Sequence, residues 1–282
     1  MPTIGVIGNG FVGSAIVAGF LLHVDEILIY DTDKSLCTHT LKETINGADV
    51  IFVCVPTPML TETGGRIDLK IMDSVFEAID KLNKRKNNIF VIKSTVVPGT
   101  TEKYQKLYPN LRIVFSPEFL TERAARLDFI NASRIVIGGK EEDVNVVESL
   151  FKLRFPHKRM VKTDTGTAQL IKYMANCFFA VKISFMNEMK QICDALELDW
   201  QDASEGFITD GRIGNSHLDV PGHDNQLGFG GKCFPKDLNA MIYKMEEAGV
   251  TPTVLQAAWD KNLEVRNFFD WADIQGAVTS KD

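Results

Sequence analysis

Residues 227–237 read LGFGGKCFPKD, a cysteine set between a glycine-rich turn and a segment whose Pro235 and Asp237 suit the first turn of a helix. The unpaired amides of a helix N-terminus favour a thiolate, and Lys232 and Lys236 add positive charge. Cys233 is therefore expected to have a lowered pKa and to act as a nucleophile. The glycines before it let backbone come close to a ligand. A lone cysteine is ordinarily an inert core residue, but the polar, charged surroundings of this one argue for chemistry.

Two further pairs could serve such a thiol. Lys172 and Asn176 stand four apart in an otherwise apolar helical pattern, so they share a face on which a cation and an amide could steady an oxyanion. A snorkelling lysine beside a satisfied asparagine would look the same. Glu118 and Glu122, in SPEFLTE, repeat that spacing just after a strand-like run. They could bind hydroxyls or exchange protons, or simply be acids at a helix start.

Gly8, Gly10 and Gly13 in GNGFVG follow a short β-branched run and open a small-residue helix, which suits a pyrophosphate held on backbone amides. Asp31 ends the next strand, 18 residues beyond Gly13, where a carboxylate can take hydrogen bonds from an adenosine ribose. No arginine follows closely to hold a 2′-phosphate, so the expected cofactor is NAD. VPTP (55–58) and STVVPGT (94–100) each follow a strand-like run and so belong at the carboxyl ends of a sheet, where open α/β sheets bind ligands.

These groups need a frame. The runs TIGVI, EILIYD, DVIFVCVP, NIFVIKST, LRIVFSPEF and SRIVIGG are continuous enough to be strands buried on both faces of a parallel sheet, with helical patterns between several of them. After about residue 163 the strand runs stop and TGTAQLIKYMANCFFAVKISFMNEMKQICDALEL reads as one long helix. The expected fold is α/β: a Rossmann-like parallel-sheet domain over residues 1–163, then an all-helical domain over 164–282 with the catalytic cysteine. The closing DIQGAVTSKD is expected to fray.

The composition, with 45% hydrophobic and 24% charged residues and a net charge of -6, is that of a globular chain with no basic face for nucleic acid or an anionic membrane. Five cysteines without a Cys-x-x-Cys pair argue against disulfides and a structural metal, so no metal is expected. The start MPT runs straight into a strand without a leader pattern, which reads as cytoplasmic.

GNGFVG, CVPTP, KSTVVPGT, SPEFLTE, IKYMAN, RIGNSHLDVPG and GFGGKCFPKD together resemble the signatures of the UDP-glucose/GDP-mannose dehydrogenase family, in the family's order over about residues 3–265. The resemblance implies NAD-dependent four-electron oxidation of a nucleotide sugar, most simply UDP-glucose to UDP-glucuronate, through a thiohemiacetal and thioester on Cys233. It implies that Lys172, Asn176 and Asp237 steady the oxyanion and the water or move protons. It places Thr95, Glu118 and Glu122 around the hexose and that water. Phe119, Leu120, Phe229, Gly230 and Gly231 would join them in holding substrate, while Phe11, Val12, Pro56, Thr57, Thr95 and Lys236 would line the cofactor. Arg212 matches an arginine that can reach the neighbouring subunit's substrate in a homodimer formed through the helical domain.

The family commonly continues into a further Rossmann-like domain over the nucleotide half of the substrate, which has no counterpart in these 282 residues. Lys232 stands where a small residue is common, Arg123 where glycine is, and HDNQL is inserted before the glycine loop. Two other readings stay open: a β-hydroxyacid dehydrogenase of the 6-phosphogluconate type, which needs no cysteine, and a non-catalytic NAD-binding partner of another chain.

Overall fold

The structure, a computed structural model, describes residues 1–60, 65–274 and 276–279. The chain forms two compact units, Met1–Thr57 with Leu69–Lys172, and Pro58–Asp68 with Tyr173–Asp282.

In the first unit β1 (Thr3–Ile7) leads through α1 (Phe11–Phe20) to β2 (Glu26–Tyr30), and α2 (Leu41–Gly47) returns to β3 (Val50–Val53) on the other side of β1. Between β3 and the next helix the chain leaves for the second unit, where β4 (Met59–Leu60) lies. The first unit then continues with α3 (Lys70–Leu82), β5 (Ile89–Ile92), α4 (Thr100–Leu107), β6 (Arg112–Phe115), α5 (Ala125–Ile130), β7 (Arg134–Gly138), α6 (Glu141–Arg154) and β8 (Arg159–Thr163). The seven-stranded sheet runs β2-β1-β3-β5-β6-β7-β8. The strand order turns back at β1 and β3, so a crevice opens at their carboxyl ends.

Each central strand divides its side chains between two cores, because neighbours in an extended chain point to opposite faces. Val6, Phe52 and Val91 pack with Ile16, Phe20, Phe129 and Phe151 on one face. Ile7, Ile51, Val53, Phe90 and Ile92 pack with Phe76, Ile79 and Tyr104 on the other. Full burial on both sides is why these segments read as unbroken apolar runs. The helices answer with one apolar stripe each, as in α3, whose buried Met72, Phe76 and Ile79 are spaced by four and three.

The sheet departs from the sequence expectation in two places. β7 meets β6 antiparallel, at Phe115 and Gly138, so the sheet is mostly rather than wholly parallel. β8 was not expected as a strand at all: RMVKT has no fully buried residue and only β7 for a neighbour, so its pattern lacks the continuous apolar run of a central strand.

Among the described residues, the regular elements of the second unit are all helices apart from one small strand pair. α7 (Thr165–Ala195), 31 residues long, begins in the first unit and continues into the second, followed by α8 (Trp200–Ile208), α9 (Cys233–Glu247) and α10 (Thr253–Val265). The tail is not frayed throughout: β9 (Val278–Thr279) pairs with β4. Met59, Trp271 and Ala277 bury together there, with Trp259, Ile274 and Val278 packed against them. The rest of the stretch expected to fray, at 275 and 280–282, lies outside the described residues. No helix among the described residues is long and apolar enough to cross a membrane.

Candidate active site

In the first unit the glycine loop is shaped by backbone contacts. Gly8 has φ +92, donates its N–H to Tyr30 O at 2.8 Å, and a Cβ on it would lie 2.6 Å from Cys54 O. A Cβ on Gly13 would lie 2.0 Å from Gly8 O, so α1 can pack this tightly against the loop only with glycine there. Gly10, by contrast, faces open space and is the N-cap of α1, which no side chain caps. Beside this uncapped end the carbonyl oxygen of the Asn9 side chain is buried without a partner.

Asp31 accepts hydrogen bonds from Asn9 N (2.6 Å) and Asp33 N (2.9 Å), tying the end of β2 to the loop. Its carboxylate has about four acceptor positions, so capacity is left for a ribose. An uncapped helix N-terminus, an open Gly10, an orphaned acceptor and a carboxylate at the end of β2 together fit a dinucleotide. Phe11, Val12 and Gly13 supply the first-turn amides.

The two Pro-Thr loops touch: Thr57 Oγ1 donates to Thr95 O at 2.8 Å, and Ser94 Oγ donates to Val55 O at 2.7 Å. Pro56 is exposed between Val55 and Thr57. Deeper in the same unit lies a residue the sequence reading missed. Lys93, 4% exposed, donates to Pro117 O at 3.0 Å, and burial pushes its ammonium down to about 8 despite the favourable Cys54 and Glu118. The signal was a lysine closing the apolar run IFVIK. The Cys54 thiol is pushed up to about 12 by burial, with Lys93 opposing the shift.

Glu118 accepts from Lys172 Nζ (2.9 Å) and from Leu120 N (2.6 Å). The Lys172 ammonium also sits 5.5 Å from the centre of the Phe119 ring. Glu118 and Glu122 do not share a helical face, because residues 116–121 are not helical; Glu122 is exposed on a short turn that follows.

In the second unit α9 opens at Cys233 itself, two residues before Pro235, so the cysteine occupies the first helical position at the amide end. One turn on, Asp237 is 1% exposed and accepts from Asn176 Nδ2 (2.6 Å) and Lys236 Nζ (2.5 Å). The Tyr173 hydroxyl is buried without a partner, its pKa raised well above the usual value by burial and by Asp237. Lys172 and Asn176, expected to converge on one ligand atom, are each engaged by a different carboxylate, Glu118 for the lysine and Asp237 for the asparagine.

The remaining expected contacts differ among themselves. Phe229 is buried, its ring 6.3 Å from that of Phe234, and its backbone N–H and C=O are both bound by Asn262, so neither ring nor backbone is open to a sugar. Gly230 is packed on one side by Arg266, whereas Gly231 faces open space. Arg212 stands out on the surface, folded back onto Asp210. Among the described residues no two of the five cysteines are joined in a disulfide. Among the described residues no group of three or more metal-ligating side chains gathers.

A doubly wound sheet with an uncapped glycine turn at its crevice defines a dinucleotide-binding α/β protein. Residues 32–154 match the NAD binding domain of the UDP-glucose/GDP-mannose dehydrogenase family, and residues 166–264 match its central domain. The chain belongs to that family, and its cofactor is NAD. It is 32% identical to the UDP-glucose 6-dehydrogenase of Rickettsia conorii over 92% of this chain and 66% of that one. It is 31% identical to the UDP-glucose 6-dehydrogenase AglM of Haloferax volcanii over 91% and 68%. Among solved structures, a UDP-glucose dehydrogenase from Pyrobaculum islandicum superposes with a TM-score of 0.81 at 27% identity, covering 94% of this chain and 68% of that one. The chain thus spans about two thirds of the length of such relatives.

Proposed function

We propose that this chain is the NAD- and thiol-bearing part of a cytosolic nucleotide-sugar 6-dehydrogenase, which converts the primary alcohol of UDP-glucose to the carboxylate of UDP-glucuronate. In this reading the first unit holds NAD and the second supplies the nucleophile. The observation that carries it is Cys233 at the first position of α9, with a buried Asp237 one turn on, held by Asn176 and Lys236.

NAD held by the glycine loop and Asp31 would supply a hydride acceptor for each of two oxidations. Between them Cys233 Sγ adds to the carbonyl carbon of the aldehyde, the thiol proton ending on the carbonyl oxygen, to give a thiohemiacetal. Loss of the second hydride from carbon and of the hydroxyl proton leaves a thioester. Water cleaves its C–S bond, releasing the carboxylate and returning the thiol. Lys172 and Asn176 would stabilise the oxygen that gains charge, and Asp237 would exchange the proton. Thr95, Glu118 and Glu122 would surround the hexose and the attacking water. Arg212 would serve the partner subunit of a homodimer built on the helical unit.

The test is NADH formation by this chain with UDP-glucose, GDP-mannose and UDP-N-acetyl sugars. Two NADH per sugar are expected with UDP-glucose, and Cys233→Ser should lower kcat at least about a thousandfold while NAD still binds. A two-electron alcohol oxidation would continue in that variant. Failure to form NADH with every sugar, with NAD binding intact, refutes the activity for this chain.

A further inference from the structure

The glycine loop that precedes Cys233 is held by buried side chains that its sequence does not announce. Leu227 O accepts from Arg266 Nη1 at 3.2 Å, and Gly228 N donates to Asn187 Oδ1 at 3.1 Å. Phe229 is bound twice by Asn262, its N–H donating to Oδ1 at 2.7 Å and its C=O accepting from Nδ2 at 3.1 Å. Gly231 N donates to Asp270 Oδ2 at 2.9 Å. Arg266 in turn donates to Asp270 and to Asp224, at 3.1 and 2.7 Å. Asn262 and Arg266 are 0% and 3% exposed.

This contact explains two of the glycines. A Cβ on Gly228 would lie 2.3 Å from Asn262 Oδ1, and one on Gly230 would lie 2.2 Å from Arg266 Nη2. They are small because side chains from α10 and the turn after it press against the loop. Only Gly231, at φ +72 with open space beside it, is left for close approach of a ligand. Burying a guanidinium between two carboxylates is costly unless the geometry is well satisfied, and here further donors go to the Leu227 carbonyl of the loop and to Phe268 O.

We propose that Asn262, Arg266 and Asp270 are positioning residues for Cys233: they fix the backbone of residues 227–231 and so set where the thiol stands at the first turn of α9. The inference rests on Cys233 being the nucleophile. Arg266 and Asp270 lie beyond the stretch that matches the family's central domain, 166–264. A loosened loop would let that first turn fray, and a thiol drawn away from the amide end loses the field that favours the thiolate.

The test is the rate at which iodoacetamide alkylates Cys233 in the full chain at neutral pH, read by peptide mass spectrometry, with Cys37 as internal reference. Arg266→Lys and Asp270→Ala should slow Cys233 at least about tenfold and leave Cys37 unchanged. Asp224→Ala removes the other carboxylate from the same guanidinium without touching the backbone of 227–231, and in the folded variant should change the rate less than about twofold, because the bonds at Leu227 O and Asp270 still hold the loop. An unchanged Cys233 rate in folded Arg266→Lys and Asp270→Ala overturns the proposal, as does an equal slowing by Asp224→Ala, which would mean general loss of stability. If the variants do not fold, hydrogen exchange of the wild-type chain decides. The amides of 228, 229 and 231 should be protected as strongly as those of α9, and exchange at the rate of an open loop overturns the brace. Alkylation reads the thiol and not the oxidation, so fast alkylation with no NADH would refute the dehydrogenase activity and leave the brace standing.

Discussion

Lys93 directly follows β5, whose side chains are all apolar, and the fold surrounds it with groups that do not fully repay its burial. Cys54, Glu118 and Lys172 are the ionisable groups that act on it; the first two favour its charge, Lys172 opposes it, and desolvation outweighs them all. Because its pKa falls from 10.5 to about 8 in the folded chain, the sign of the pH effect follows. Below about 8 the fold carries a charged lysine at a cost. Between about 8 and 10.5 the unfolded chain still holds a proton that the folded chain has lost, so raising the pH through that window stabilises the fold. Measured by urea unfolding, the wild type should gain on the order of 2 kcal/mol over Lys93→Met between neutral pH and the top of that window. A constant difference between the two proteins across the window would show that Lys93 does not titrate there.

At the scale of elements, the join between β1 and α1 bears the strictest geometric demand. A Cβ at Gly13 would sit 2.0 Å from Gly8 O, a backbone atom that cannot swing aside, so Gly13→Ala must push α1 away from the loop. The expected outcome is a loss of about 1–3 kcal/mol in stability and at least about tenfold weaker NAD binding, seen by thermal unfolding and by calorimetric titration. Unchanged NAD affinity would show that the loop and the α1 terminus do not hold the cofactor. This join was legible in the sequence because a glycine turn between an apolar run and a small-residue helix has few other uses. The two-faced central strands were legible for a similar reason, since complete burial leaves an unbroken apolar run. β8 and the β4–β9 pair were not, because an edge strand with exposed residues and a two-residue pairing are selected by tertiary neighbours rather than by local pattern. The separate engagements of Lys172 and Asn176 were hidden for the same reason: helical spacing shows which side chains share a face, not which carboxylate will meet each one. The brace on residues 227–231 was hidden as well, since Asn262, Arg266 and Asp270 have no pattern of their own until α10 brings them to the loop.

For the whole molecule, α7 presents a surface that a single chain does not cover. Met174, Phe178, Phe185 and Ile192 are all exposed, and their spacings of four, seven and seven keep them on one side of the helix over about 27 Å, with exposed Leu196 just past its end. Phe207 of α8 lies near Phe185, with ring centres 6.4 Å apart, and extends the same apolar surface. A stripe of this length and character is larger than isolated surface hydrophobics would account for. A second copy of the chain matches it by construction, because a two-fold axis sets the same helix face against itself. The homodimer proposed above is therefore expected to form along α7. Wild-type protein should sediment as a dimer, and Met174→Glu with Phe178→Glu should give a folded monomer by placing like charges in the centre of the contact. NAD affinity should be unchanged in that variant, because the glycine loop and Asp31 belong to the first unit. A wild-type chain that sediments as a monomer, or a double variant that remains a dimer, would mean that α7 is not the contact.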